Sequence, residues 1–119
     1  MLFRSGVRQD LSQAVHFFQL AAAQGYHRAQ FVLGKCYYQG IGIRQDLSQA
    51  VHLFQLAAAQ GHPRAQMNLG ECYENGLGAS KDLKEAAKFY QLAAKQGDLG
   101  AKEAYRRCLA LIVEQARRK

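Results

Sequence analysis

Residues 8–25 read RQDLSQAVHFFQLAAAQG, and residues 44–61 read RQDLSQAVHLFQLAAAQG: the string returns 36 positions later with only Phe17 exchanged for Leu53. The same register holds outside these stretches. Gly6, Gly42 and Gly78 are in step, as are Asp10, Asp46 and Asp82, and Gly25, Gly61 and Gly97. Ala29, Ala65 and Ala101 follow, then Cys36, Cys72 and Cys108. A fixed period of this length marks a stacked array, in which one unit cannot cover its own apolar face and needs a copy of itself as neighbour.

The contents of a unit are helical. Asp46 precedes Leu47-Ser48-Gln49, a helix start in which the carboxylate caps and Gln49 reaches back; Asp10 with Gln13 and Asp82 with Glu85 repeat the device. After Asp46, the residues Leu47, Ala50, Val51, Phe54, Ala57 and Ala58 recur on one face at helical spacing. Gly61 closes that helix and Pro63 suits the first turn of another, spanning about Pro63 to Glu74 and carrying Ala65, Leu69, Cys72 and Tyr73 on one side. Gly34 and Gly70 sit inside helices of this second kind, where glycine costs roughly 1 kcal/mol against alanine, so a neighbouring helix is expected to approach closely there. Asn75-Gly76-Leu77-Gly78 ends the helix as a loop, and no stretch alternates as a strand. By the same pattern a helix is predicted near Leu11 to Gln24.

Composition narrows the class. A chain of 119 residues, 49% apolar, makes one small domain with a core. No apolar run approaches the ~18 residues of a membrane span, and the opening MLFRSGVRQD has no apolar stretch of a secretory signal. Three cysteines cannot all pair within the chain, which favours a reducing compartment such as the cytoplasm. The net charge is +7, and residues 81–119 hold ten Lys or Arg against five acids, a balance that suits solvated helix ends and also acidic or nucleic-acid partners.

These residues resemble the Sel-1-like repeat family, relatives of the tetratricopeptide repeat. The family pattern is met by Ala29, Leu33, Gly34, Tyr37, Gly40, Gly42, Asp46, Ala50, Leu53-Phe54, Ala57-Ala58 and Gly61. It is met again by Ala65, Leu69, Gly70, Tyr73, Gly76, Gly78, Asp82, Ala86, Phe89-Tyr90, Ala93-Ala94 and Gly97. The resemblance implies an all-α fold, a right-handed α/α solenoid of antiparallel helix pairs. The single repeat domain then divides into a partial first repeat over 1–28, full repeats over 29–64 and 65–100, and a C-terminal capping helix over 101–119. A tetratricopeptide repeat proper has a period of 34. The last unit departs from the pattern, with Tyr105-Arg106 for Leu-Gly and Leu109 for Tyr, as a cap meeting water would.

No catalytic, cofactor or metal site is expected. Cys36, Cys72 and Cys108 share a helix face with core positions, and equivalent atoms of stacked repeats lie ~10 Å apart, beyond the ~7 Å Cα limit of a disulfide. His16 and His52, like His27 and His62, lack the spacing of a zinc site. Phe18, Tyr37, Phe54, Tyr73 and Tyr90 fall on repeat positions and read as core. The Gly-x-Gly loops follow helices, not strands, which removes a dinucleotide reading, and no Ser-His-Asp set stands out.

Recognition is left to the surface. By analogy with related repeats, the first helix of each unit lines a concave groove. That mapping implies a partner-binding set of Arg28, Phe31, Val32, Lys35, Tyr38, Arg64, Met67, Asn68, Glu71, Glu74, Glu103 and Arg107, with Phe31, Met67 and Tyr38 as apolar anchors. These letters vary between units while the stacking letters stay fixed. The expected function is a protein-interaction scaffold holding a peptide or partner domain. The alternatives are self-assembly through an open N-terminal face that includes Leu2 and Phe3, and, more weakly, nucleic-acid binding through residues 81–119.

Overall fold

The computed structural model describes residues 2–118, with side chains from residue 9 onward. Six helices follow one another: α1 (Leu2–Ala23), α2 (His27–Gln39), α3 (Leu47–Ala59), α4 (Pro63–Asn75), α5 (Leu83–Lys95) and α6 (Leu99–Arg118), with no strand among the described residues. Each helix packs on its neighbours in sequence, and the stack measures 58 × 26 × 22 Å. The fold is an all-α helical repeat: α2, α4 and α6 are the first helices of successive units, and α1, α3 and α5 are the second. Leu2 and Phe3 of the expected N-terminal face lie outside the described side chains.

The helix ends follow local chemistry. Asp46 Oδ1 accepts from the Gln49 backbone N–H at 3.1 Å, and Asp82 Oδ1 accepts from the N–H groups of Lys84 and Glu85, both at 3.1 Å. The reach-back expected of Gln49 does not form. The Asp46 N–H that it would meet donates instead to Tyr37 O at 2.9 Å, and Asp82 N–H donates to Tyr73 O at 2.8 Å. Ser48 Oγ takes the second place on the cap, donating to Asp46 Oδ1 at 2.9 Å.

Asp10 is not a cap. It lies inside α1, which runs unbroken through Gly6. The loop ending at Asp46 or Asp82 rests on the preceding unit, because a Cβ on Gly42 would strike Leu11 O and one on Gly78 would strike Leu47 O. Both glycines have positive φ, +72° and +76°, so the loop needs a residue without Cβ on two counts.

Three small cores run along the stack in place of one centre. Val15, Ala22, Ala29, Leu33 and Leu53 form the first. Phe31, Ala50, Val51, Phe54, Ala57, Ala58, Ala65, Leu69 and Cys72 form the second, and Leu83, Ala86, Ala87, Tyr90, Ala104 and Cys108 the third. A chain of glutamines links the two helices of each unit and reaches the unit before. Buried Gln30 and Gln66 donate to Ala22 O and Ala58 O, both at 3.3 Å, and accept from Gln60 Nε2 and Gln96 Nε2, both at 2.8 Å. Ala22 O and Ala58 O also accept from the N–H groups of Gly25 and Gly61 at 2.9 Å, so each buried glutamine adds a second bond to a helix-end carbonyl and has its own amide oxygen satisfied in turn.

The close approach expected at Gly34 and Gly70 is present. A Cβ on Gly34 would sit 2.7 Å from Phe54 Cε1, and one on Gly70 would sit 2.7 Å from Tyr90 Cδ1. The Gly70→Ala variant gains about 1 kcal/mol in helix propensity but forces the aromatic ring of α5 away, an overpacking cost of about 1–3 kcal/mol. A net loss of about 1 kcal/mol is expected, read as a lower urea midpoint with an unchanged slope.

Candidate partner-binding groove

The expected groove residues divide into an open part and a closed part. In the open part, Phe31, Lys35, Tyr38 and Gln39 from α2 face Arg64, Asn68 and Glu71 from α4 across a cavity of about 210 Å³, with Phe54 of α3 at its base. Six of the expected residues, Phe31, Lys35, Tyr38, Arg64, Asn68 and Glu71, therefore share one concavity. They meet because Lys35 and Tyr38 lie one turn apart on α2, and Arg64, Asn68 and Glu71 rise on one side of α4 at helical spacing.

Aromatic rings build the cavity wall. Phe31 packs against Phe54 with centroids 6.0 Å apart, and Tyr38 meets Phe54 at 6.3 Å. His62 stacks on the other side of Phe31 at 4.5 Å while its Nδ1 accepts from the Ala65 backbone N–H at 3.2 Å, capping α4. Lys35 Nζ stands 5.7 Å from the Phe31 centroid, over the ring. Charge at the rim is mixed: Lys35 and Arg64 are cationic, and Glu71 is a carboxyl that burial, then the charge of Glu74, pushes above its ordinary range. Burial likewise raises the Tyr38 phenol and keeps it a neutral donor.

In the closed part, Glu74 and Arg107 hold each other. Arg107 donates from Nε to Glu74 Oε2 at 2.8 Å and from a terminal nitrogen to Oε1 at 2.7 Å, a bidentate pair. Tyr90 also donates its hydroxyl to Glu74 Oε1 at 2.7 Å. One unit earlier the corresponding residues are Tyr38 for Glu74, Glu71 for Arg107 and Phe54 for Tyr90. That trio has no cation to set against a carboxylate and no hydroxyl on the buried ring, so the cleft between α2 and α4 stays open.

Phe31 is only 7% exposed and belongs to the second core, so it walls the cavity without offering a free anchor. The remaining expected residues sit elsewhere. Met67 packs against the third core, Val32 packs against the second, and Arg28 and Glu103 are exposed outside the cavity. Gln39 and Phe54 were not among the expected residues. Phe54 reads as core from its register and is core, yet its ring edge is also the floor of the cleft. Among the described residues no cluster of three His, Cys, Asp or Glu side chains could hold a metal, and no described helix is long and apolar enough to cross a membrane. The cations of α5 and α6 are dispersed over exposed positions, with Lys88 lying over the Phe89 ring.

A stack of paired helices with its variable side chains gathered on the first helices belongs to the helical-repeat class of scaffolds. The Sel1 repeat profile matches residues 1–26, 27–62 and 63–98, and the chain belongs to the Sel1 repeat family. It is similar to a Sel1 repeat protein from Oxalobacter formigenes, with 37% identity and a TM-score of 0.77 over 79% of this chain and 39% of that one. It is also similar to c5321, a protective antigen of uropathogenic Escherichia coli strains displaying an SLR fold, with 37% identity and a TM-score of 0.75 over 76% of this chain and 19% of that one. Cysteine rich protein B of Helicobacter pylori, 22% identical, shares the fold with a TM-score of 0.72 over 76% of this chain and 68% of that one. No curated protein sequence matches the chain. The chain thus spans well under half the length of the first two relatives. Sel1 repeat proteins are generally protein-interaction scaffolds and typically non-catalytic.

Two outcomes follow from the side-chain chemistry. Glu74 is held below the ordinary carboxylate value of 4.5, mainly by its hydrogen bonds from Arg107. A depressed native value adds stability that is full above the unfolded value and is lost as pH falls through the native one. Acid denaturation curves of Glu74→Gln should therefore be flatter than those of the parent below about pH 4.5, with a loss near neutral pH of about 1 kcal/mol. The three thiols are free, and burial raises them all, Cys72 to about 11. Cys72 and Cys108 are buried while Cys36 is only partly so, and iodoacetamide at neutral pH should label Cys36 first, as peptide mass mapping would show.

Proposed function

We propose that this chain is a protein-interaction scaffold whose cleft between α2 and α4 receives a segment of a partner protein. The observation that carries the reading is the contrast between two equivalent places in the stack. One is filled by the Glu74–Arg107 pair, and the other is left as a cavity of about 210 Å³ ringed by Lys35, Tyr38, Arg64, Asn68 and Glu71. A space of that size takes one apolar side chain against Phe54 and Tyr38. Lys35 and Arg64 at the rim favour an acidic residue beside it, and Asn68 offers an amide to the partner's backbone.

Selection of a displayed random-peptide library on the immobilised chain tests this. Recovered peptides should pair an aliphatic or aromatic residue with a nearby Asp or Glu. Tyr38→Ala and Arg64→Glu should each weaken the best peptide at least ~10-fold, which is about 1.4 kcal/mol, while the exposed variant Glu103→Ala leaves it unchanged. Affinity that is indifferent to Tyr38 and Arg64 would remove the cleft from consideration. Phe31 is unsuited to this test because truncating it would also open the core.

A second reading, association through the open α1 face, is favoured by the exposure of Phe17 and Leu20.

A further inference from the structure

Tyr26, His62 and Asp98 occupy the same place in successive units, one residue ahead of α2, α4 and α6. Their side chains treat the first turn differently. Tyr26 gives no side-chain hydrogen bond to the start of α2. His62 Nδ1 accepts from the Ala65 N–H at 3.2 Å, and Asp98 Oδ1 accepts from the Ala101 N–H at 2.9 Å. An acceptor at this position is worth roughly a factor of five in helix population. A carboxylate keeps its lone pairs across the neutral and mildly acidic range. A neutral imidazole has one lone pair, and in His62 it is the one that holds the cap, so Nε2 carries the ring proton. Of the two side-chain caps, that of His62 is the one a proton removes.

The surroundings of that ring oppose a positive charge. It stacks on Phe31 with centroids 4.5 Å apart and meets His27 edge-on at 5.3 Å. α2 brings His27 and Arg28 to bear on it and α4 brings Arg64, while Lys35 of α2 lies over the same Phe31 ring. α3 carries no acid, and its one titratable side chain, His52, is exposed. Gln96, at the end of α5, reaches Gly61 O beside the cap with an uncharged amide at 3.0 Å. No carboxylate pairs with either imidazole among the described residues, and His27 Nδ1 is buried without a hydrogen-bond partner. Burial, then His27, hold the His62 imidazole below its ordinary value of 6.5. A protonated Nδ1 would face the Ala65 N–H donor to donor, at a residue with no exposure. The Phe31 face attracts a cation, yet it cannot supply the missing acceptor.

Resting on the cleft reading above and deepening it, we propose that His62 is an acid-sensitive latch on that cleft. A proton on its Nδ1 releases the first turn of α4 and the Phe31 wall, and a bound partner segment with them. Two connections tie the ring to the cleft. Phe31 lies between His62 and Phe54, with the Phe54 centroid 6.0 Å away on its other side. Arg64, on the rim, stands in the turn that the cap holds, and Asn68 and Glu71 follow it on the same helix. A depressed native value adds stability that is full above 6.5 and is lost as pH falls through the lowered value. Acid therefore works against the capped form of α4, while the start of α6, capped by Asp98, serves as the internal reference.

Amide exchange of the intact chain, measured by NMR from about pH 7.5 down to about pH 4.5, tests the latch without any ligand. His62 should begin as the Nε2–H tautomer. As it takes up a proton, the protection factor of the Ala65 amide should fall at least ~3-fold while that of Ala101 holds. His62→Asn keeps an acceptor that does not titrate, and His62→Asp copies the cap of α6. In both variants the protection of Ala65 should hold over the same range. An equal fall in the parent and in these variants, or no fall in the parent, overturns the latch. The peptide recovered by the library selection above reads the release. Over the same pH range its affinity should drop at least ~3-fold more for the parent than for His62→Asn. Protonation of Glu71, which burial raises, and of the peptide's own acid is common to both proteins. Equal losses overturn the release. A selection that yields no cleft peptide removes the cleft reading and the release together, whereas the Ala65 amide still decides whether acid opens the start of α4.

Discussion

The absence of a side chain at Gly34 and Gly70 is the constraint from which the architecture follows. It lets the first helix of one unit settle onto an aromatic ring of the second helix, Phe54 or Tyr90, at a separation that even a methyl would prevent. Helices so close have room only for small residues around the contact, and the positions that flank the rings are Ala50, Ala57, Ala86 and Ala93, each fully buried. The alanine content of the chain is thus a packing requirement as well as a helix preference. Each crossing buries a modest core, so the units stabilise one another mainly through nearest neighbours, and the molecule grows long without acquiring a centre.

The same ring positions decide where the surface is open. Phe54 and Tyr90 are equivalent, and they differ by one hydroxyl. On Tyr90 that hydroxyl donates to Glu74 and orients it for the bidentate bond from Arg107, which seals the cleft between α4 and α6. Phe54 offers nothing to a carboxylate, and Tyr38 and Glu71 occupy the places of the anion and the cation. Residues that hold the stack and residues that shape its surface are thus neighbours on the same helices. The second set can change without disturbing the first. Glu74 and Arg107 show the converse: side chains facing the groove can be spent on joining units rather than on recognition.

Much of the fold was legible because its signals are local. Asp46, Asp82, Pro63, Gly40 and Gly76 each act within one turn of a helix end, and the 36-residue register needs only letter comparison. The site was legible in part. Lys35, Tyr38, Arg64, Asn68 and Glu71 were reachable by analogy because they vary between units, but whether they enclose a space depended on Phe54, which local pattern assigns wholly to the core. Phe31 misled for the opposite reason. Its place in the pattern is a groove position, yet the ring lies between His62 and Phe54 and is buried by them. Asp10 misled because the letters of a cap can also run on inside a helix, as they do in α1. At Asp46 and Asp82 the preceding loops instead rest on the carbonyls of Leu11 and Leu47 through Gly42 and Gly78. The glutamine chain went unread because glutamines near helix ends look like solvent contacts until the neighbouring unit is in place.

Repetition also explains why the two ends of the stack are chemically unlike. A unit copied without change presents on each side what its neighbour needs, so an array of identical copies would be open at both ends. Here the letters that meet the next helix have been altered at only one end. Lys102, Tyr105, Arg106 and Leu109 replace the Gln, Leu, Gly and Tyr of the earlier units, whereas α1 retains Ala14, Phe18, Ala21 and Gln24. A long charged side chain at the place of glycine closes an interface more firmly than loss of apolar area does, because it excludes the partner by volume and brings an uncompensated charge to the contact.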